Sequence, residues 1–265
     1  IASGSIATFV CYIFKSGNLK CWGNNSKGQL GLGDTTSRGS SSSHMGDNLP
    51  NVNLGTGRTA IAVSAGKEHT CAVLDSGAVK CWGENASGQL GIGSTTDSLT
   101  PAADVDLGTG RTATSVSIGK DHVCAVLDNG GLFCWGKGSS GALGIGSTST
   151  TNAPSAVNLG SGRTATAVSL GEAFSCAILD NGGVKCWGEN DSGRLGVGDT
   201  TDLSAPPSGN IDLGTGRTAI AISSGQKHVC VIMDNAKVKC WGHNEYGSLG
   251  TGDNLAHRGD AADEM

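Results

Sequence analysis

Cysteine and histidine are the residue types in this 265-residue chain best suited to redox or metal chemistry. Its ten cysteines form five pairs, each separated by nine residues and each ending in Cys-Trp-Gly: Cys11/Cys21, Cys71/Cys81, Cys124/Cys134, Cys176/Cys186 and Cys230/Cys240. Zinc ligands usually lie two to four residues apart, and dithiol redox centres read Cys-x-x-Cys; neither spacing occurs here. The repeated wide spacing fits disulfides, which belong to an oxidising compartment. His69, His122 and His228 share one position, two residues before a cysteine. Ligation would require them to converge, whereas equivalent positions in a repeat are spread apart, so a structural hydrogen bond is expected. His44, His243 and His257 fall in loops and suggest no specific chemistry. No metal or cofactor is expected.

The remaining candidates for catalysis are thin. There is no Gly-x-Ser-x-Gly elbow leading from strand to helix and no His-Glu-x-x-His zinc motif. Glycine-rich links such as Gly108-Thr109-Gly110 do not precede a helical pattern, so they are poor phosphate cradles. The expectation is a protein that is not an enzyme.

The cysteines must be held by hairpins. In the second copy, Thr70-Cys71-Ala72-Val73-Leu74 and Ala78-Val79-Lys80-Cys81-Trp82 flank the turn Asp75-Ser76-Gly77. Folding about Ser76 sets Cys71 opposite Cys81, at a separation a disulfide can span. The turns Lys15-Ser16-Gly17, Asp128-Asn129-Gly130 and Asp180-Asn181-Gly182 repeat this logic. Asp234-Asn235-Ala236 departs from it, because alanine tolerates positive φ less well than glycine.

Forty-four glycines and 15% charged residues favour turns over helices. A net charge of −5 argues against a nucleic-acid surface. No apolar run approaches the ~18 residues of a membrane span. The chain starts at Ile1 rather than Met and shows no signal peptide, which suits a processed or incomplete chain.

Trp22, Trp82, Trp135, Trp187 and Trp241 all follow a second cysteine and recur at a period of roughly 50 residues, the mark of a propeller or related array. One unit reads as an inner strand, a Gly-x-x-His link such as Gly66-Lys67-Glu68-His69, the cystine hairpin, a loop ending Gly88-Gln89-Leu90-Gly91, a Ser/Thr-rich loop and a fourth strand over 103–107. The next unit follows through Gly108-Thr109-Gly110-Arg111-Thr112. These links, the Trp-Gly pairs and the loop 82–91 resemble the regulator-of-chromosome-condensation repeat over almost the whole chain. The resemblance implies an all-β propeller of four-stranded antiparallel blades. It divides the chain into five units, 1–57, 58–110, 111–162, 163–216 and 217–265, with both ends incomplete. The tryptophans then become scaffold residues packed between blades. Familiar members have seven blades, so five repeats mean either a five-bladed ring or an incomplete one. The family includes a nuclear nucleotide-exchange factor, a plant ultraviolet photoreceptor and a secreted β-lactamase inhibitor, so fold alone does not settle function.

Asn24-Asn25-Ser26, Asn85-Ala86-Ser87 and Asn190-Asp191-Ser192 are N-glycosylation sequons in the loop after Trp-Gly, making Asn24, Asn85 and Asn190 glycan candidates on an exposed rim. Ser/Thr-rich tracts at 35–43, 94–100, 147–155 and 200–208 read as loops. Arg258-Gly259-Asp260 matches an attachment tripeptide, but Arg38-Gly39-Ser40 stands at the same repeat position, so Arg-Gly belongs to the loop itself.

The fifth unit stops at Met265, before any segment equivalent to 51–54. The outer edge of its third strand, around Val238-Lys239-Cys240-Trp241, is therefore expected to lack a partner from its own unit, and such an edge recruits another strand. The donor is either downstream sequence absent from this chain or a second subunit, and with a second subunit Met265 would lie near the subunit boundary. The functional expectation is a secreted, non-enzymatic structural or interaction module, part of a larger extracellular assembly through self-association or another extracellular protein, with glycans possible as ligands. The alternative is a soluble protein- or glycan-binding, inhibitory propeller.

Overall fold

The computed structural model describes residues 1–4, 6–101, 103–253 and 257–261. Met265 and the last residues before it lie outside the described residues. The chain forms five antiparallel sheets in sequence order. The first contains β1 (Phe9–Ile13) and β2 (Leu19–Gly23); the second β3 (Ala60–Ala65), β4 (His69–Leu74) and β5 (Val79–Gly83). The third contains β6 (Ala113–Ile118), β7 (His122–Leu127), β8 (Leu132–Gly136) and β9 (Thr151–Ala156). The fourth contains β10 (Ala165–Leu170), β11 (Phe174–Leu179) and β12 (Val184–Gly188), and the fifth β13 (Ala219–Ser224), β14 (His228–Met233) and β15 (Val238–Gly242).

These sheets are propeller blades. Side chains alternate across each strand, so a blade buried on both faces must be apolar on both. In β4 every residue is buried. Cys71 and Val73, with Val79 and Cys81, face Val123, Ala125, Leu127 and Trp135 of blade 3. Ala72, Leu74 and Trp82 face Cys11, Leu19 and Cys21 of blade 1. The same arrangement joins blades 3 and 4 and blades 4 and 5. No core cluster joins blade 5 to blade 1 among the described residues.

The expected hairpin register is present in all five units. Cys11, Cys71, Cys124, Cys176 and Cys230 pair directly with Cys21, Cys81, Cys134, Cys186 and Cys240, and each pair is a disulfide with Cα atoms 4.1 Å apart. Gly17, Gly77, Gly130 and Gly182 turn the hairpins at positive φ. A Cβ on Gly77 would meet Thr112 of the next blade, and Ala113 donates its amide to Gly77 O at 2.8 Å. Ala236 holds the same turn conformation at φ 61°.

The fourth strand is weaker than the repeat suggests. Among the described residues, blade 3 alone forms it as a ladder. In blade 2 it shrinks to isolated bridges at Asp104 and Ser98, and in blade 4 to a bridge at Leu203. What persists is one bond per blade: Val52, Val105, Val157 and Ile211 donate to the carbonyls of Leu19, Val79, Leu132 and Val184. The equivalent carbonyl of Val238 has no such donor among the described residues, and Val238 is 63% exposed. The other end of β15 is covered by the chain's own loop, where Gly242 and Arg258 exchange backbone bonds of 2.8 and 3.2 Å.

Candidate functional site

Each blade has two ends. One carries the hairpin turns and interblade links, and it is nearly invariant. Arg58, Arg111, Arg163 and Arg217 pair with Asp75, Asp128, Asp180 and Asp234 at 3.2–3.6 Å. The following threonine of each link donates its amide to the same aspartate. This end is a lock between link and turn, repeated four times.

The other end carries the Gly-x-x-His links and the loops after Trp-Gly. It rests on a fixed frame. Trp82, Trp135, Trp187 and Trp241 are fully buried, and each indole N–H donates to a carbonyl of the preceding blade, at Gln29, Gln89, Ala142 and Arg194 (3.0–3.2 Å). A Cβ on Gly31 would come within 2.7 Å of Trp82 Nε1, so the closing glycine of the loop makes room for the indole. Trp22 in blade 1 is half-buried.

The loops are bracketed by an asparagine whose structural role the sequence reading did not anticipate. Asn85 donates through Nδ2 to Ser94 O and Thr96 O and accepts the Leu90 amide. Asn25, Asn190 and Asn244 make the corresponding bonds. The signal was available as Trp-Gly-x-Asn in four units. Asn85 and Asn190, two of the glycan candidates, are fully buried and their amide nitrogens are engaged in the folded chain. Asn24 stands one position earlier in the repeat, level with Glu84 and Glu189, and is half-exposed.

The histidines divide. His122 is buried, and its Nε2 lies 3.0 Å from Ser175 Oγ, which donates its own proton to Ala142 O at 2.8 Å. The serine must therefore accept, which places the imidazole proton on Nε2. His69 is equally buried, yet neither ring nitrogen has a partner; Val123 stands where blade 4 offers Ser175. The expected hydrogen bond is absent there because the adjacent blade supplies a methyl. Burial holds the His69 pKa down at about 3, aided by His122, and burial lowers that of His122 to about 4. Half-burial and His243 lower that of His228. Phe174 takes the position in blade 4. The histidines do not converge: no group of three metal-ligating side chains occurs among the described residues.

Above this frame the surface changes from blade to blade. The residue after Trp-Gly is Asn24, Glu84, Lys137, Glu189 or His243, and the links present Lys67-Glu68, Lys120-Asp121, Glu172-Ala173 or Gln226-Lys227. Between blades 3 and 4 lies a cleft of about 200 Å³ lined by Lys120, Asp121, His122, Lys137, Ser140 and Glu172, among others. Lys120 Nζ donates to Glu172 Oε1 across the blades at 2.5 Å, which raises the lysine pKa and lowers that of the glutamate. Lys137 pairs with Asp121 at 3.6 Å. Fully buried Arg194 pairs with Glu189 at 2.6 Å and with Asp191. A second cleft, of about 450 Å³, holds Lys227, His228, His243 and Tyr246, with His243 stacked on His257 at 4.7 Å.

The profile of the RCC1-like domain matches residues 1–263. The chain belongs to the RCC1-like domain family. It is 30% identical over 246 residues to the ultraviolet-B receptor UVR8 of Arabidopsis thaliana, covering 93% of this chain and 53% of that protein. It is 33% identical over 240 residues to the probable E3 ubiquitin-protein ligase HERC6 of Homo sapiens, covering 88% of this chain and 22% of that one. The chain thus spans about half of the receptor and a smaller part of the ligase. The human WBSCR16 crystal structure superposes with a TM-score of 0.79 at 24% identity, over 94% of this chain and 63% of that one. Yeast RCC1 (Prp20), solved bound to Kap60, superposes at 0.59 with 16% identity, over 98% and 73%. These two likenesses support the propeller fold alone.

Proposed function

We propose that this RCC1-like propeller is a non-enzymatic protein-interaction module that works in an oxidising setting outside the cell and makes its contacts on the Gly-x-x-His face. One observation carries this reading. The scaffold and the Arg–Asp end repeat from blade to blade, while equivalent positions on the Gly-x-x-His face carry different charges. A face that varies over a constant frame is where specificity can be built. The five disulfides favour the oxidising setting. Yeast RCC1, which shares the fold, was solved bound to the protein Kap60, and this is in keeping with a binding role.

Membership of a larger assembly, by self-association or with another extracellular protein, is part of the proposal. Ile220, Ile232 and Val238 on blade 5 are 42–65% exposed, and apolar surface of this kind marks contact sites. Glycan attachment, where it occurs, belongs to Asn24.

The test compares charge reversals on the two ends. Lys120→Glu with Glu172→Lys changes the variable face, and Arg111→Glu with Asp128→Arg changes the lock. Both variants and the parent are immobilised, and bound proteins from the source organism's extracellular fraction are identified by mass spectrometry. The reading expects specific partners lost only with the first pair. Loss with the second pair alone, or an unchanged set with the first, overturns it.

A further inference from the structure

Blade 3 departs from its neighbours at three coupled positions on the variable face. Gly138 stands where the others have the bracketing asparagine. Ala142 stands where blades 1, 2 and 4 bury Gln29, Gln89 and Arg194. Lys137 stands where they carry Asn24, Glu84 and Glu189. The cleft between blades 3 and 4 opens beside Ala142, which lines it.

The neighbouring blades show what such a place holds. Gln29 Oε1 accepts the Lys27 amide and Gln89 Oε1 the Ser87 amide, both at 2.8 Å. Their side-chain amides donate to Asn24 Oδ1 and Glu84 Oε2 at 3.3 and 3.5 Å. In blade 3 the corresponding backbone amide is that of Ser140, which has no protein acceptor among the described residues. The corresponding rim residue is Lys137, a donor where the others accept. A group placed there meets donors on both sides, so an acceptor-only carboxylate fits where a carboxamide would turn its N–H groups toward an ammonium. Ser140 also holds φ 55°, one of two non-glycine residues with positive φ among those described, and backbone strain of this kind collects at binding sites.

We propose that the cleft between blades 3 and 4 takes a glutamate side chain from a protein partner, supplying in trans what Gln29 and Gln89 supply from within their own blades. The proposal rests on the interaction-module reading. The three carboxylates lining the cleft are already neutralised: Asp121 by Lys137, Glu172 by Lys120 and Glu189 by Arg194. Lys137 has three N–H donors, enough to serve Asp121 and an incoming carboxylate together.

The test uses N-acetyl-L-glutamate amide and N-acetyl-L-glutamine amide as probes, titrated into the ¹⁵N-labelled chain. The glutamate probe is expected to shift the Ser140, Lys137 and Ala142 amides saturably, with the glutamine probe about tenfold weaker. Lys137→Glu recreates the environment of Glu84 and should reverse that preference. Ala142→Gln fills the cleft from within and should abolish both responses. If that variant does not fold, the Lys137→Glu reversal decides the matter. Absence of a saturable shift in the parent, or an unaltered preference in Lys137→Glu, overturns the proposal. Failure here with the face-specific loss of partners intact removes this occupant and leaves the interaction reading standing. A probe response without any face-specific partner does the opposite.

Discussion

Replacing Val123 with threonine tests the pairing logic between blades most sharply. Val123 is fully buried in the core between blades 2 and 3, and at the same repeat position Thr70 and Ser175 carry hydroxyls. Thr70 Oγ1 donates to Gln29 O and Ser175 Oγ to Ala142 O, both at 2.8 Å, and these carbonyls also receive an indole N–H. At the corresponding place between blades 2 and 3, the Gln89 carbonyl receives only the Trp135 indole among the described residues, while His69 has both ring nitrogens unpartnered. In an ordinary apolar site, burying the hydroxyl of a Val→Thr change costs about 1–3 kcal/mol. Here the hydroxyl can donate to Gln89 O and accept from His69. Two bonds at about 1 kcal/mol each, with relief of an orphaned imidazole N–H at about 1–3 kcal/mol, offset that cost. Val123→Thr should therefore be neutral or stabilising by about 1 kcal/mol. Urea unfolding with disulfides intact, followed by tryptophan fluorescence, measures it. The His69 ring ¹⁵N shifts should move toward a single Nε2–H tautomer. A loss of about 2 kcal/mol or more, or unmoved His69 resonances, would refute the reasoning. Ser175→Ala is the converse and should cost about 2 kcal/mol by leaving His122 unpaired.

Acid should weaken the fold through the same histidines. Their folded pKa values of about 3 and 4 lie below the unfolded value of 6.5, so the unfolded chain takes up protons first; stability is full above pH 6.5 and falls by about 1.4 kcal/mol per histidine per pH unit down to those values. Denaturation midpoints from pH 7 to 5 check the slope, and His69→Gln with His122→Gln should flatten it. Ala236→Gly should stabilise by about 1 kcal/mol, because a left-handed residue becomes a glycine; an unchanged melting temperature would contradict the turn geometry. Asn85→Ala removes three bonds and should cost about 3 kcal/mol, whereas Asn24→Ala, which loses only the bonds from Ser26 N and Gln29 Nε2 on a half-exposed residue, should cost about 1 kcal/mol. Glycopeptide mapping after secretion from a eukaryotic host should find sugar at Asn24 at most; occupancy of Asn85 or Asn190 in the native chain would show that the bracket opens.

The sequence by itself determined the hairpins, the disulfide pairing and the repeat. A two-residue period folded about a glycine turn leaves one register that sets Cys71 against Cys81, and five copies of one phrase restate it. The once-per-unit position of the indoles also pointed to a contact made once per unit, and four of them, Trp82, Trp135, Trp187 and Trp241, are buried with the N–H bonded to the preceding blade. The tertiary structure decided what depends on the blade next door. Asn85 and Asn24 both begin a sequon, and only the loop closing over Ser94 and Thr96 makes one a buried bracket and the other a surface residue. His69 and His122 share a motif, yet one is orphaned and one bonded because blade 3 offers Val123 and blade 4 offers Ser175. Ala142 is unremarkable in the chain and becomes the wall of a cleft only when Gln29, Gln89 and Arg194 are seen buried at the same place. Local spacing encodes contacts within a blade. Contacts between blades join residues some fifty positions apart, and their meaning appears only when the blades are stacked.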